Sequence, residues 1–314
     1  MPSSMSTFSR LSFRRPGWGA RVRLILLAIV GVYLTLAAAL WFNQKDLLYH
    51  PSAAQVLPRE AWIAPVRIST PDGESLVGWY SEPEPGCPTM LFFDGNAGRP
   101  EIQSGRWRRM QEQGVGFLAV YYRGYSGSTG SPSEAGLHLD AQAGLAWLMR
   151  RGIESTDVVV HGFSLGSGPA TRLAATNAVG ALVLEAPYSS MSALVAEKLP
   201  LFPYDLILQN RFRSDEWIGA LDEPVLMVHG TEDRLVPMHH SDRLMAQAPE
   251  PSELVRIDGA DHATLVRDGL YEAVWPFLER HWTGSREPGR NCGIIPGAQR
   301  PEIQVEARIT QAHE

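Results

Sequence analysis

One serine in the chain lies in a motif that can make it a nucleophile. Residues 161–166 read HGFSLG, which places Ser164 in the pattern Gly-x-Ser-x-Gly. A β-branched run at 157–160 precedes the motif, and a helical pattern beginning near Gly168 follows it. A serine on a sharp turn between a strand and a helix is typical of a nucleophile elbow, which holds the hydroxyl above the strand ends. The alternative is a Gly-rich turn whose serine takes no part in chemistry.

A serine hydroxyl is a weak nucleophile at neutral pH, so it needs a histidine base, and the histidine needs an orienting acid. In this architecture the order along the chain is serine, acid, histidine. Asp233 lies in the loop after a strand predicted at 224–230, and His262 lies in the loop after a strand predicted at 254–258. Loops at the carboxyl ends of parallel strands meet at one edge of a sheet. The sequence therefore predicts a catalytic triad of Ser164, Asp233 and His262.

Two other acids compete with Asp233 for the role of orienting acid. Glu232 is the residue before Asp233, and from that position in the loop its side chain should point away from the histidine. Glu185 follows a strand predicted at 181–184, and an acid one strand earlier can also reach the histidine. A turn aspartate and a surface-loop histidine are the non-catalytic interpretations of Asp233 and His262.

Further stretches carry a resemblance to a known family. They are DGNAG at 94–98, YRGYSGS at 122–128, EAPYSSM at 185–191 and HGTEDRLVP at 229–237. Over roughly Trp41 to Trp282 the chain resembles α/β-hydrolase-fold serine hydrolases, and more narrowly the membrane-anchored, small-lidded group that includes protein depalmitoylase-like hydrolases. The resemblance implies an α/β-class fold, with a mostly parallel central sheet and helices on both faces. It is specific for the fold and the triad but not for the substrate, because one fold carries many chemistries.

The resemblance also implies an oxyanion hole in the loop after the strand predicted at 89–93. Such a hole needs backbone N–H groups aimed at the oxygen that becomes negative in the tetrahedral intermediate. By position these are the N–H groups of Asn96 and Leu165, with a plain Gly-rich turn as the alternative. The family usually has histidine where this chain has Asp94, and an ionised carboxylate near a developing oxyanion is unfavourable. Asp94 is therefore expected to point away, to be neutral or to slow the reaction.

The N-terminal part of the chain predicts a membrane anchor. Residues 1–23 contain five arginines, and no acidic residue occurs before Asp46. The uncharged apolar run at 24–42 has about the 20 residues that a helix needs to cross a bilayer. The positive-inside rule then predicts a single pass, with a cytoplasmic N-terminus and the catalytic domain on the non-cytoplasmic side. A cleaved signal peptide, with its site among the alanines at 37–39, is the alternative.

The composition limits the number of domains and the classes of partner that the chain can have. The 314 residues, 44% hydrophobic and 20% charged, suffice for one large α/β domain, predicted at 43–282. The net charge of −6 does not indicate a nucleic-acid-binding protein. Cys87 and Cys292 do not make a disulfide framework, and no sequence cluster predicts a metal or cofactor site. The stretch 283–314, rich in Pro and Gly without a sustained period, is predicted to be a mostly disordered tail.

The stretch between two predicted strands, 187–221, has room for a small lid or the acyl-side wall of a pocket, or for ordinary helices that pack on the sheet. The sequence as a whole predicts a membrane-anchored serine hydrolase. It would cleave ester or thioester bonds, including those of lipid-derived acyl groups, through an acyl-enzyme intermediate and without a cofactor. The alternatives are a serine peptidase of the same fold and a non-catalytic, membrane-tethered binding protein with a vestigial triad.

Overall fold

The computed structural model of the chain describes residues 17–52, 54–282, 284 and 304–307. It divides into two compact units, Met1–Gln44 and Lys45–Glu314. Most of the basic segment predicted at 1–23 lies outside the described residues, as does most of the tail predicted at 283–314.

The first unit contains most of one long apolar helix, α1 (Trp18–Leu48), of 31 residues. It contains the whole apolar run 24–42 and extends beyond that run at both ends. Its most apolar window has a mean hydropathy of 2.5. At about 1.5 Å per residue, a helix of this length exceeds the hydrocarbon core of a bilayer, which is about 30 Å thick. The helix α1 is therefore long and apolar enough to cross a membrane.

The second unit is built on a single mixed sheet. Its strands are β1 (Ala64–Ser69), β2 (Ser75–Ser81), β3 (Thr89–Phe93), β4 (Gly116–Tyr121), β5 (Val158–Phe163), β6 (Ala181–Glu185), β7 (Val225–Gly230), β8 (Ser252–Ile257) and β9 (Gln304–Ala307). Within the described residues their order is β1-β2-β4-β3-β5-β6-β7-β8-β9. Strands β3 to β8 pair in parallel, whereas β1, β2 and β9 add antiparallel at the two edges. The mostly parallel sheet predicted from the sequence is confirmed.

Helices cover both faces of this sheet. They are α2 (Ser104–Glu112), α3 (Glu134–Met149), α4 (Ser167–Ala174), α5 (Met191–Lys198), α6 (Tyr204–Ile207), α7 (Ser214–Trp217), α8 (His239–Met245), α9 (Leu265–Asp268) and α10 (Leu270–His281). Short 3₁₀ turns occur at Pro100–Gln103, Ser155–Asp157, Ser164–Gly166 and Ile218–Ala220. The N-terminus of α3 is capped, because the Ser133 hydroxyl accepts a hydrogen bond from the backbone N–H of Gly136.

The alternation of side chains along each central strand builds two cores. In β3, Leu91 joins the core on one face and Phe92 joins the core on the other. Leu137 of α3 lies in the first core, and Trp107 of α2 lies in the second. The central strands are buried on both faces, which explains why they read as continuous apolar runs in the sequence.

The register of the sheet brings several loops to one edge. Phe163 pairs with Glu185 across β5 and β6, and Gly230 pairs with Ile257 across β7 and β8. The chain order reverses between β3 and β5, and α/β folds bind ligands in the crevice at such a reversal, beyond the carboxyl ends of the strands. The loops that follow β3, β5, β7 and β8 all open towards this crevice.

Most of the stretch predicted to be a disordered tail lies outside the described residues, so that prediction stays a prediction. Its described residues Gln304–Ala307 form β9 and pair antiparallel with β8. An edge strand leaves backbone groups unpaired, and a short segment of alternating polar and apolar residues can pair with them. The expectation for the cysteines needs correction, because Cys87 is disulfide-bonded. Such pairing depends on three-dimensional proximity, which the spacing of two distant cysteines does not encode.

Candidate active site

The strand-to-helix turn that carries Ser164 is tight and strained. Ser164 has a backbone φ of 51°, a left-handed value that is rare for a residue with a side chain. A Cβ on Gly162 would collide with the carbonyl oxygen of Gly166, and one on Gly166 would collide with that of Phe93. Both glycines are therefore required by close backbone approach. The turn presents Ser164 half-buried at the start of the short helical turn that leads into α4.

His262 lies between Ser164 and Asp233. Its Nε2 lies 2.9 Å from the Ser164 Oγ, and its Nδ1 lies 2.6 Å from the Asp233 Oδ2. The ring of Phe163 packs against the His262 imidazole at a centroid distance of 5.2 Å. With Asp233 ionised, Nδ1 donates to the carboxylate, so Nε2 of the neutral ring is free to accept the serine proton. The structure thus brings together the three residues that the sequence singled out from three separate loops.

Asp233 is held rigidly from its own loop. Its other oxygen, Oδ1, accepts hydrogen bonds from the backbone N–H groups of Leu235 (2.9 Å) and Val236 (2.8 Å). Burial by itself raises the pKa of Asp233, but the hydrogen bonds from His229, His262 and the backbone outweigh it, and the pKa falls well below its ordinary value. Asp233 is therefore ionised at neutral pH.

A second histidine, His229, braces the same carboxylate and was missed in the sequence. It is fully buried at the end of β7, and its Nε2 lies 2.8 Å from the Val236 carbonyl oxygen and 3.3 Å from the Asp233 Oδ2. Its Nδ1 lies 2.7 Å from the hydroxyl of Ser241 in α8. His229 thus joins β7, the Asp233 loop and α8. A histidine at the end of a buried strand, four residues before an acid, was the available signal.

The two rival acids lie elsewhere. Glu185 is buried under the sheet edge, where its carboxylate lies 2.8 Å from the Arg106 guanidinium and 3.2 Å from the His161 Nε2. Burial raises the pKa of Glu185, but the charge of Arg106 and the hydrogen bond from His161 lower it by more. Glu232 is exposed. Neither hydrogen-bonds to His262 within the part of the chain that the structure describes.

The loop after β3 lies directly beside the serine. A Cβ on Gly95 would lie 3.5 Å from the Ser164 Cβ. The side chain of Asn96 is anchored away from the serine, because its Oδ1 accepts from the Tyr125 hydroxyl (2.9 Å) and its Nδ2 donates to the Leu48 carbonyl oxygen (2.6 Å). Leu165 is the first residue after Ser164 in the helical turn, where backbone N–H groups have no intrahelical acceptor. The oxyanion-hole role of Asn96 and Leu165 stays a prediction.

Asp94 is turned into the protein rather than left facing solvent. Its Oδ1 accepts from the backbone N–H of Gly95 (2.7 Å) and from the Gln103 Nε2 (3.0 Å). Its Oδ2 is buried and makes no hydrogen bond with any described residue. Burial raises the pKa of Asp94 to about 6, although these hydrogen bonds and the charge of Arg106 oppose the rise.

A mostly parallel sheet with helices on both faces, and a strained serine on the turn after its central strand, define the α/β-hydrolase fold. Among solved structures the chain is similar to the esterase Pf2001 of Pyrococcus furiosus, with a TM-score of 0.61, 19% identity and coverage of 76% of this chain and 98% of that one. At this identity the likeness shows the fold alone. No protein-family model matches the chain.

Sequence relatives give the family. An uncharacterised protein of Mycobacterium tuberculosis is 34% identical over 248 residues, which cover 77% of this chain and 86% of the relative. The α/β hydrolase domain-containing protein WAV2 of Arabidopsis thaliana is 30% identical over 249 residues, which cover 69% and 80%. The chain therefore belongs to the α/β-hydrolase family.

Proposed function

We propose that the chain is a serine hydrolase that cleaves carboxylic esters or thioesters through an acyl-enzyme intermediate. The observation that carries this proposal is the continuous hydrogen-bonded path from Asp233 through His262 to Ser164, beyond the carboxyl ends of the central strands. Each atom is on the side of the imidazole that the chemistry needs, with the acid at Nδ1 and the nucleophile at Nε2.

In the proposed mechanism, the Ser164 Oγ attacks the acyl carbon while its proton passes to the His262 Nε2. Asp233, held ionised, stabilises the imidazolium that forms. The tetrahedral intermediate collapses, and the departing alcohol or thiol takes the proton from Nε2. His262 then deprotonates a water molecule, which attacks the acyl-enzyme and releases the acid and Ser164.

The negative oxygen of the tetrahedral intermediate needs fixed donors. We assign the backbone N–H groups of Asn96 and Leu165 to this role, because both lie in segments that flank Ser164 and the Leu165 N–H is at the start of a helical turn. Removing one such donor in a related site costs about 10²–10³ in turnover. Asp94 is compatible with this arrangement, since its hydrogen bonds run to Gly95 and Gln103.

The acyl side of the substrate is proposed to meet the segment 187–221, which contains α5, α6 and α7. Leu199, Leu201 and Leu206 in this segment are more than half exposed, and Leu206 reaches 79%. The segment contacts the loops of the proposed triad, because the Tyr188 hydroxyl donates to the Leu165 carbonyl oxygen and the Lys198 Nζ donates to the Arg234 carbonyl oxygen. Apolar side chains in such a segment suit an acyl chain. This supports an acyl ester or thioester substrate, including a lipid-derived one, and the small-lidded, depalmitoylase-like subgroup.

We further propose that α1 anchors the protein in a membrane as a single-pass helix, with the N-terminus cytoplasmic and the catalytic unit on the other side. The arginines before Leu24 support the orientation. The disulfide at Cys87 also supports it, because disulfides persist in oxidising compartments.

The anchor can be tested on membranes from a bacterial expression host. The chain should stay in the pellet after alkaline carbonate extraction, because an apolar helix leaves a bilayer only with detergent. A protease added to intact spheroplasts should digest the unit after Asp46, which faces outward. Release by carbonate, or a mature N-terminus near Leu40 by mass spectrometry, would instead support the cleaved signal peptide; a protected domain would reverse the orientation.

The substrate class can be tested with matched acyl esters, acyl thioesters and acyl-peptide amides, with acyl chains graded from acetyl to palmitoyl. Turnover of esters and thioesters, dependent on Ser164, is the expected result. Preferential turnover of the amides would indicate a peptidase. Absence of turnover and of fluorophosphonate labelling would indicate a binding protein with a vestigial triad.

A further inference from the structure

The chain that leaves α1 runs directly against the loop that carries the proposed oxyanion donor Asn96. We call residues 48–52 the exit segment; it begins at Leu48, the last residue of α1, and belongs to the second unit. The Asn96 Nδ2 donates to the Leu48 carbonyl oxygen at 2.6 Å. The His50 Nδ1 lies 2.8 Å from the same Nδ2, and the backbone N–H of His50 donates to the Asn96 Oδ1 at 3.1 Å. The exit segment therefore binds both ends of the Asn96 amide.

The Asn96 amide has a partner for each of its donors and for each lone pair of its oxygen. The Tyr125 hydroxyl donates to Oδ1 at 2.9 Å, beside the N–H of His50. The amide nitrogen can only donate, so the neutral His50 ring accepts at Nδ1 and carries its proton on Nε2. Exchanging the amide oxygen and nitrogen would set two oxygens against each other at Leu48. The Asn96 side chain is therefore held in one orientation.

The end of the same loop is connected to the exit segment through Ser126. The Ser126 hydroxyl donates to the Gly98 carbonyl oxygen at 3.1 Å, and its backbone N–H donates to the Ser52 carbonyl oxygen at 2.5 Å. The loop is also closely packed here, because a Cβ on Gly98 would lie 2.7 Å from the Tyr125 ring. The exit segment thus contacts the loop directly at Asn96 and indirectly at Gly98.

We propose that Leu48 and His50 are positioning residues for the hydrolytic reaction, because they hold Asn96 and with it the backbone N–H assigned to the oxyanion. The inference rests on the proposed function and deepens it. An oxyanion donor is effective only when it lies about 2.7–3.1 Å from the place where the negative oxygen forms. A displacement of about 1 Å in an active site can cost about 10²-fold in rate. The stretch that joins α1 to the catalytic unit is therefore part of the active site rather than a free tether.

His50 offers the mildest test, because the residue is exposed and its replacement leaves the core intact. In the full-length protein in detergent, His50→Ala should lower kcat on an activated ester by about 3–10-fold, the equivalent of one neutral hydrogen bond. KM should stay unchanged, because the lost interaction is made in the transition state. His50→Asn should restore kcat, since the new Oδ1 can accept from the Asn96 Nδ2 where the imidazole did.

A double-mutant cycle shows whether His50 acts through Asn96. Asn96→Ala keeps the backbone N–H but removes every side-chain hydrogen bond, so it should lower kcat by about 10–10²-fold. Adding His50→Ala to that variant should cause no further loss, because the contact is already gone. The matched control is Tyr49→Phe, which removes a hydrogen bond that the exit segment makes to the Asn210 Oδ1 at 3.1 Å instead. This control should melt at a lower temperature with its kcat unchanged.

Hydrogen–deuterium exchange, read by mass spectrometry, follows the loop without using turnover. Backbone N–H groups of residues 94–98 should exchange faster in His50→Ala and Asn96→Ala than in the wild type or Tyr49→Phe. The inference alone is overturned if an active wild type is matched by both variants in kcat and exchange, if His50→Asn is as impaired as His50→Ala, or if the two losses multiply in the double variant. A wild type without Ser164-dependent turnover would overturn the proposed function, and this inference with it.

Discussion

Replacing Ser164 by alanine is expected to abolish both ester turnover and covalent labelling by a fluorophosphonate probe. The substitution removes the Oγ atom, which lies 2.9 Å from the His262 Nε2. Loss of the nucleophile lowers turnover by about 10⁶-fold in enzymes with this kind of triad, although binding and the oxyanion donors leave some rate above that in water. Both effects are measured on the purified protein, with labelling read by gel fluorescence and by intact mass.

The fold should survive this change. Alanine has no larger steric requirement than serine at a φ of 51°, and the backbone close contacts of the turn involve Gly162 and Gly166 rather than the hydroxyl. Thermal melting of Ser164→Ala should therefore stay near that of the wild type.

Ser133→Ala is a matched control that should lower stability without lowering the reactivity of Ser164. The Ser133 hydroxyl accepts a hydrogen bond from the Gly136 N–H at the start of α3, and losing such a cap costs about 0.5–2 kcal/mol in the free energy of unfolding. This variant should melt at a lower temperature yet be labelled at the wild-type rate. If Ser164→Ala is still labelled at the wild-type rate, Ser164 is not the nucleophile.

Local sequence patterns were sufficient to predict individual strands, whereas the fold that joins them was implied by the family resemblance. The strand β3 was predicted at 89–93, where the structure has it, because a buried apolar run is bounded by a Pro-rich loop and by Asp94-Gly95. The Pro-Asp-Gly sequence at 71–73 indicates a turn, and the strands on either side of it, β1 and β2, pair antiparallel. These elements are encoded by neighbours in the sequence, so one sequence reveals them.

The surroundings of the site could not be predicted in the same way. His229 contacts Asp233 directly, and its ring is held by the Ser241 hydroxyl. The position of Ser241 depends on how α8 packs against the sheet. The burial of Glu185 against Arg106 depends on how α2 packs under the sheet. Glu197 and His239, whose side chains meet at 2.9 Å, are likewise distant in the chain. Such contacts result from packing between distant elements, and no local periodicity or turn signal records them.

The last prediction concerns the acid, for which Asp233→Asn is compared with Glu185→Gln and Glu232→Gln. Asp233→Asn is expected to lower turnover of an activated ester by about 10²–10⁴-fold. The asparagine can offer an N–H where the carboxylate accepted one from Nδ1, which favours the wrong tautomer of His262 and leaves the imidazolium without a counter-charge. The backbone N–H groups of Leu235 and Val236 and the side chain of His229 should still hold the loop in place.

Glu185→Gln should lower the melting temperature without lowering turnover, which is the reverse of the result expected for Asp233→Asn. It leaves the Arg106 guanidinium buried without its counter-charge, and breaking a buried ion pair in this way costs about 3–5 kcal/mol. The melting temperature should therefore fall, while turnover per folded molecule stays near that of the wild type. Glu232→Gln, at an exposed position, should change neither quantity measurably.

The three variants are compared by thermal melting and by turnover normalised to the folded fraction, which is read by circular dichroism. This normalisation separates a poorly folded sample from a chemically impaired one. The 2.6 Å contact between the Asp233 Oδ2 and the His262 Nδ1 is the physical reason to expect Asp233→Asn to be the impaired variant. If Glu185→Gln loses its activity per folded molecule while Asp233→Asn retains it, the orienting acid lies one strand earlier and the assignment of Asp233 is wrong.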